Sequence, residues 1–92
     1  MKPKHIIYSA RAIGAELRKV GVPVLKTSEG DDCEDGEISI SEAVHIQVGV
    51  FENYAAVSRF DGECFHIEPM RDQSDIATLA ADVRKALSEV PA

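Results

Sequence analysis

A chain of 92 residues, 45% hydrophobic and 28% charged, is long enough for one globular domain with its own core, and its composition excludes an intrinsically disordered chain. No apolar run approaches transmembrane length. Two cysteines, with no leader-like apolar stretch near the N-terminus, predict a reduced, cytoplasmic protein, with a Cys33–Cys64 bridge as the second choice.

The formal net charge of −6 is unevenly spread. Residues 1–26 hold six basic residues against Glu16, a balance of +5, whereas residues 27–58 hold eight acidic residues and no Lys or Arg, and the remainder stands at −3. Acidity on this scale repels a phosphate backbone, so nucleic acid is not an expected partner.

In chain order, Ile6, Ala10, Ile13, Leu17 and Val20 recur at steps of four and three, which sets them on one stripe of an amphipathic helix. Gly21 suits the left-handed turn beyond its end, and Pro23 opposes continuation. Lys4, Arg11 and Arg18, seven apart, line the outer face. That face lacks the aromatic residues of a membrane anchor, Tyr8 excepted, so no membrane partner is expected.

Five runs rich in β-branched and aromatic residues follow: Val22 to Thr27, Glu37 to Ile40, Val44 to Phe51, Ala55 to Phe60 and Cys64 to Glu68. Val44, Ile46, Val48 and Val50 alternate with His45, Gln47 and Gly49, which predicts a strand with one buried and one wetter face. Asp61-Gly62 predicts a tight hairpin, and Glu52-Asn53 marks another turn. Phe51 and Tyr54 flank that turn and are expected to close the end of the core, with exposed anchors as the alternative. Ile76, Leu79, Ala80, Val83, Leu87 and Val90 give a second helix over about 74–90, with Asp72 or Ser74 as N-cap and Asp75 in the first turn. The expected fold is α+β, a two-layer sandwich in which an antiparallel meander of four to five strands carries both helices on one face.

Three groups of residues invite chemistry. Asp31, Asp35, Gly36 and Glu42 fall in register with the twelve-residue calcium loop of the EF-hand, to which this stretch is similar; Cys33 departs from the pattern by placing sulfur where a hard cation wants oxygen. The flanks read as strand and turn rather than helix, so a mobile acidic connector is the preferred reading. Cys64 and His66, a C-x-H pair, together with His45 or Cys33, form a weak zinc candidate that lacks a second close pair. A thiol beside a histidine also suggests nucleophilic catalysis, yet no G-x-S-x-G, phosphate-cradling glycine loop or zinc-protease motif occurs.

An α, then several strands, then α order is similar in layout to the double-stranded RNA-binding domain. That family carries lysines at the start of its second helix, where this chain reads Asp72-Gln73-Ser74-Asp75. By elimination, the expected function is a non-catalytic accessory module that binds another protein, with no catalytic residue, cofactor or metal assigned. Edge-strand pairing with a partner or with a second copy in a homodimer is one route. The rival classes are a metal-binding module and a small enzyme with an unrecognised site.

Overall fold

A computed structural model of the chain describes residues 9–31 and 34–90. Two helices and six strands follow one another: α1 (Ala10–Lys19), β1 (Lys26–Ser28), β2 (Gly36–Ser39), β3 (Val44–Val48), β4 (Tyr54–Phe60), β5 (Phe65–Ile67), β6 (Arg71–Asp72) and α2 (Ile76–Glu89). This is the α+β sandwich that the sequence periodicities predict.

Helix α1 begins where Ser9 adopts an extended backbone and its side chain accepts a hydrogen bond from the Ala12 N–H. Lys4, Ile6 and Tyr8, expected on the same helix, lie outside the described residues. At the other end, the Val22 N–H donates to the Leu17 carbonyl at 3.0 Å and the Gly21 N–H to the Arg18 carbonyl at 3.1 Å. That pair of bonds is a Schellman cap, and it requires the positive φ of 88° that Gly21 adopts.

The cap also explains why the first strand is shorter than the predicted Val22 to Thr27. Val22 turns into the core under Leu17, and Pro23 has no N–H to offer a ladder, so regular pairing starts only at Lys26.

Strands β1 to β5 pair in sequence order, all antiparallel, and β6 pairs with β4 beside β5. Between Ile67, opposite Ser58, and Arg71, opposite Ala55, the edge strand spends residues 68–70 against 56–57 on β4. The extra residue is a bulge, and Pro69 sits within it, a position an edge strand tolerates. The predicted meander is therefore present, and β6, which lies beyond the predicted Cys64 to Glu68 run, adds a sixth strand after the bulge. The β4–β5 turn differs from the tight two-residue form expected: Phe60 pairs with Phe65, leaving a loop of residues 61–64.

Both helices lie on one face. Helix α1 packs on β1 and β2, helix α2 on β3 and β4, and the two touch each other. Ile38, Ile46 and Val57 stand opposite one another on β2, β3 and β4, and all three are fully buried with Ile13 and Leu17 of α1 and Leu79 and Val83 of α2. Each large apolar side chain so buried contributes roughly 1.5–3 kcal/mol. Among the described residues no helix is long and apolar enough to cross a membrane.

Polar contacts fix the ends of the sheet. Arg71 grips the buried Asp82 of α2 through two bonds of 2.8 and 3.1 Å, which hold the guanidinium pKa above its ordinary value. Asp75, rather than Asp72 or Ser74, caps α2 by accepting from the Thr78 N–H. Asp72 ends β6, and its carboxylate is turned instead to the Ser74 N–H and hydroxyl. The Gln73 side chain is fully buried; its amide nitrogen lies 2.8 Å from the Gly49 and Tyr54 carbonyls and 3.3 Å from that of Glu52. One side chain thus fastens the β3–β4 loop to the approach to α2. Gln73→Leu keeps the bulk but removes the buried donor; the Tyr54 and Glu52 carbonyls keep backbone donors and the Gly49 carbonyl loses its partner, so equilibrium unfolding should show a loss of about 1–3 kcal/mol; a loss below about 0.5 kcal/mol would contradict this role.

Candidate functional site

The strand register decides which side chains face away from the helices. Ser39, His45, Ser58 and Ile67 form one cross-strand row, Glu37, Gln47 and Ala56 a second, and Phe60 with Phe65 a third. These rows alternate with the buried positions Ile38, Ile46 and Val57, so they belong to the face that neither α1 nor α2 covers.

Most of that face is polar, as expected of a solvated sheet surface. One corner is not. Phe65 and Ile67 are 66% and 69% exposed, Phe60 is 39% exposed, and the Phe60 and Phe65 rings lie 4.9 Å apart. At another corner Phe51 and Met70 are each 71% exposed and border a smaller hollow with Asp35, Glu52 and Tyr54. Phe51 therefore does not close the core; the β3–β4 loop that Gln73 holds in place carries it outward. Tyr54 is half-buried, and its hydroxyl is engaged by Asp35 rather than by the core.

Beside the apolar corner lies a cavity of about 800 Å³, lined by Glu29, Asp31, Glu34, Asp35 and Glu37 together with His45, Gln47 and Ser58. Among the described residues no Lys or Arg lines it. Glu29, Asp31 and Asp35 of its wall are each tied down by hydrogen bonds. Both Glu29 carboxylate oxygens accept backbone N–H groups of α1, from Ala10 and Arg11, at 3.0 Å each. They satisfy orphan donors and set a negative charge at the positive end of the helix.

Asp31 and Glu34 close a small turn: the Asp31 N–H donates to the Glu34 carbonyl and the Glu34 N–H to the Asp31 carboxylate. Gly30 before it passes so close to Val50 and to the Glu34 and Gly36 backbone that a Cβ there would lie 2.3–2.6 Å from them. Asp35 accepts from the Tyr54 hydroxyl at 2.5 Å and from the Gln47 amide at 3.1 Å. That bond to Asp35, with burial and the charges of Asp35 and Glu52 behind it, pushes the Tyr54 pKa up to about 12.

Among the described residues the calcium-loop register does not assemble a calcium cage. Asp31 and Asp35 precede β2 while Glu42 lies beyond its other end, where its carbonyl faces the His45 ring, and the flanking elements are β1 and β2 rather than two helices. Cys33 lies outside the described residues.

Nor do the zinc candidates converge. His45 shares its row with Ser58 on the uncovered face, whereas His66 pairs with Arg59, which reaches Glu89 of α2 on the opposite side. Cys64 is exposed. Among the described residues no group of three His, Cys, Asp or Glu is placed to hold a metal ion.

His66 instead serves a turn. Its Nε2 lies 2.6 Å from one Asp61 oxygen, and the other accepts the Glu63 and Cys64 N–H groups. The bond from Cys64, then those from His66 and Glu63, hold the Asp61 carboxyl well below the usual carboxylate range. Its contribution to stability is thus present above the unfolded carboxylate pKa of about 4 and is lost in acid. Cys64, His66 and Asp61 do not line the acidic cavity.

Sequence reasoning missed Glu29 as a cap, the Asp35–Tyr54 bond and the exposure of Phe65 and Ile67. Only the last left a local signal, two apolar residues at a spacing of two beside an aromatic on the preceding strand. Comparison with protein-family models, with curated proteins and with solved structures finds no match to this chain.

A spectrophotometric titration should resolve the Tyr54 phenol at about 12, well above an ordinary tyrosine, and Asp35→Asn should bring it down. Because the folded value is the raised one, the stability Tyr54 contributes is complete below about pH 10 and disappears as pH climbs through about 12. A Tyr54 midpoint that ignores the substitution would exclude the bond to Asp35 as its cause.

Proposed function

We propose that this chain is a non-catalytic, protein-binding accessory module and that its binding surface is the uncovered face of the sheet. The observation that carries this reading is the exposed apolar corner of Phe60, Phe65 and Ile67, on a face that otherwise alternates as a solvated sheet surface should. Large apolar side chains clustered at a polar rim mark association sites more often than isolated ones do.

The alternative route, addition of a partner strand at β1, has weaker support. That edge is three residues long, begins with an exposed Lys26 and is preceded by Pro23, all of which blunt edge pairing. Among the described residues, His45, Cys64 and His66 likewise give metal or thiol chemistry little to build on, since they occupy different faces and turns.

The test is affinity purification from the native cell with a tagged wild-type chain and with a Phe65→Ser/Ile67→Ser variant, followed by reconstitution of any recovered pair from purified components. The wild type should bind its partner stoichiometrically, and the variant should bind at least tenfold more weakly while keeping its far-ultraviolet spectrum and unfolding midpoint. A reconstituted complex indifferent to both substitutions would contradict the placement of the surface.

A further inference from the structure

Resting on the reading above, we infer that the partner segment received by the uncovered face is a cationic amphipathic helix, its apolar side seated on Phe60, Phe65 and Ile67 and its basic side reaching into the cavity walled by Glu34, Asp35 and Glu37. The two halves of this surface adjoin. Ser58, which lines the cavity, is the direct cross-strand neighbour of Ile67. From β5 to β2 the face crosses three strand spacings, about 14 Å at roughly 4.8 Å each. A helix lying along the strands between the two halves is about 10–12 Å across with its side chains, so one side meets the apolar corner and the other the carboxylates.

Charge selects the sign of the occupant. Among the described residues the cavity wall carries five carboxylates and no Lys or Arg. The hydrogen bonds that hold Glu29 and Asp35 come from backbone amides, a phenol and a side-chain amide, all neutral donors, so they fix the carboxylates in place without cancelling their charge. Glu34 and Glu37 are exposed at its rim, where the His45 ring stands 3.8 Å from Glu37, too far for a hydrogen bond. An acidic or neutral segment would meet repulsion or unrequited desolvation there, whereas Lys and Arg side chains can lay their stems on the apolar corner and their heads among the carboxylates.

The experiment uses the full chain and two amidated peptides of about 14 residues, one of Leu and Lys patterned as an amphipathic helix and the other with every Lys replaced by Glu. Binding is read by heteronuclear NMR at physiological ionic strength, where distant charges are screened. The basic peptide should shift the amides of Gln47, Ser58, Phe65 and Ile67, and the acidic one should bind at least tenfold more weakly. Phe65→Ser/Ile67→Ser and, separately, Glu34→Gln/Glu37→Gln should each weaken the basic peptide at least fivefold with the fold unchanged.

Equal binding of both peptides, shifts confined to other surfaces, or no binding would overturn the inference. So would a wild-type dimer in sedimentation equilibrium that Ile67→Ser dissociates, since a second copy would then own the face. If the native partner is lost with Phe65 and Ile67 but presents an acidic or uncharged segment, this inference fails and the protein-binding module stands.

Discussion

Ile38, Ile46 and Val57 stand side by side on three neighbouring strands, and both helices close over that row from the same side. Everything else follows from this one-sidedness. Two short helices can shield one face of a six-stranded sheet, and strict alternation then sends every second side chain to the other face. Polar residues tolerate that placement, and Glu37, Ser39, His45, Gln47 and Ser58 fill most of it. Phe60, Phe65 and Ile67 obey the same alternation yet gain no cover, and their exposure is what gives the face an identity beyond being wet.

The acidic stretch between β1 and β2 has a structural vocation that a motif reading obscures. Eight carboxylates without a compensating cation between residues 27 and 58 would repel one another if left loose. Several are instead held by donors from distant parts of the chain: α1 amides at Glu29, Tyr54 and Gln47 at Asp35. The stretch thereby clasps helix to sheet, and the same bonds present a fixed negative wall to one side of the uncovered face. Calcium coordination would demand that Glu42 fold back to Asp31 and Asp35, which the extended β2 between them prevents.

What was legible in the sequence was local and periodic. The spacing of Ile13 and Leu17 and of Leu79 and Val83, the glycine after α1, and the alternation along Val44 to Val48 are each settled within a few residues, and they suffice for the layers and the meander. What was not legible depended on residues far apart in the chain. Nothing near Glu29 announces that it caps a helix nineteen positions earlier, and nothing near Gln73 announces three carbonyls around the β3–β4 loop. β-propensity places Val22 in a strand because it ignores the Schellman cap that draws that residue into the core. His45 and His66 enter the same zinc candidate, but only the pairing register shows that they lie on opposite sides.

Isoleucine occupies both faces, which permits a direct comparison of the same truncation in the two settings. Ile46 is fully buried beneath the helices and Ile67 is 69% exposed on the other side. Equilibrium unfolding of Ile46→Ala and Ile67→Ala measures what each face gives to folding. A one-sided core requires a loss of about 2–5 kcal/mol at Ile46 and less than about 1 kcal/mol at Ile67. Comparable large losses at both positions would mean that the second face is covered in the free protein, and the surface assigned here to a partner would already be occupied.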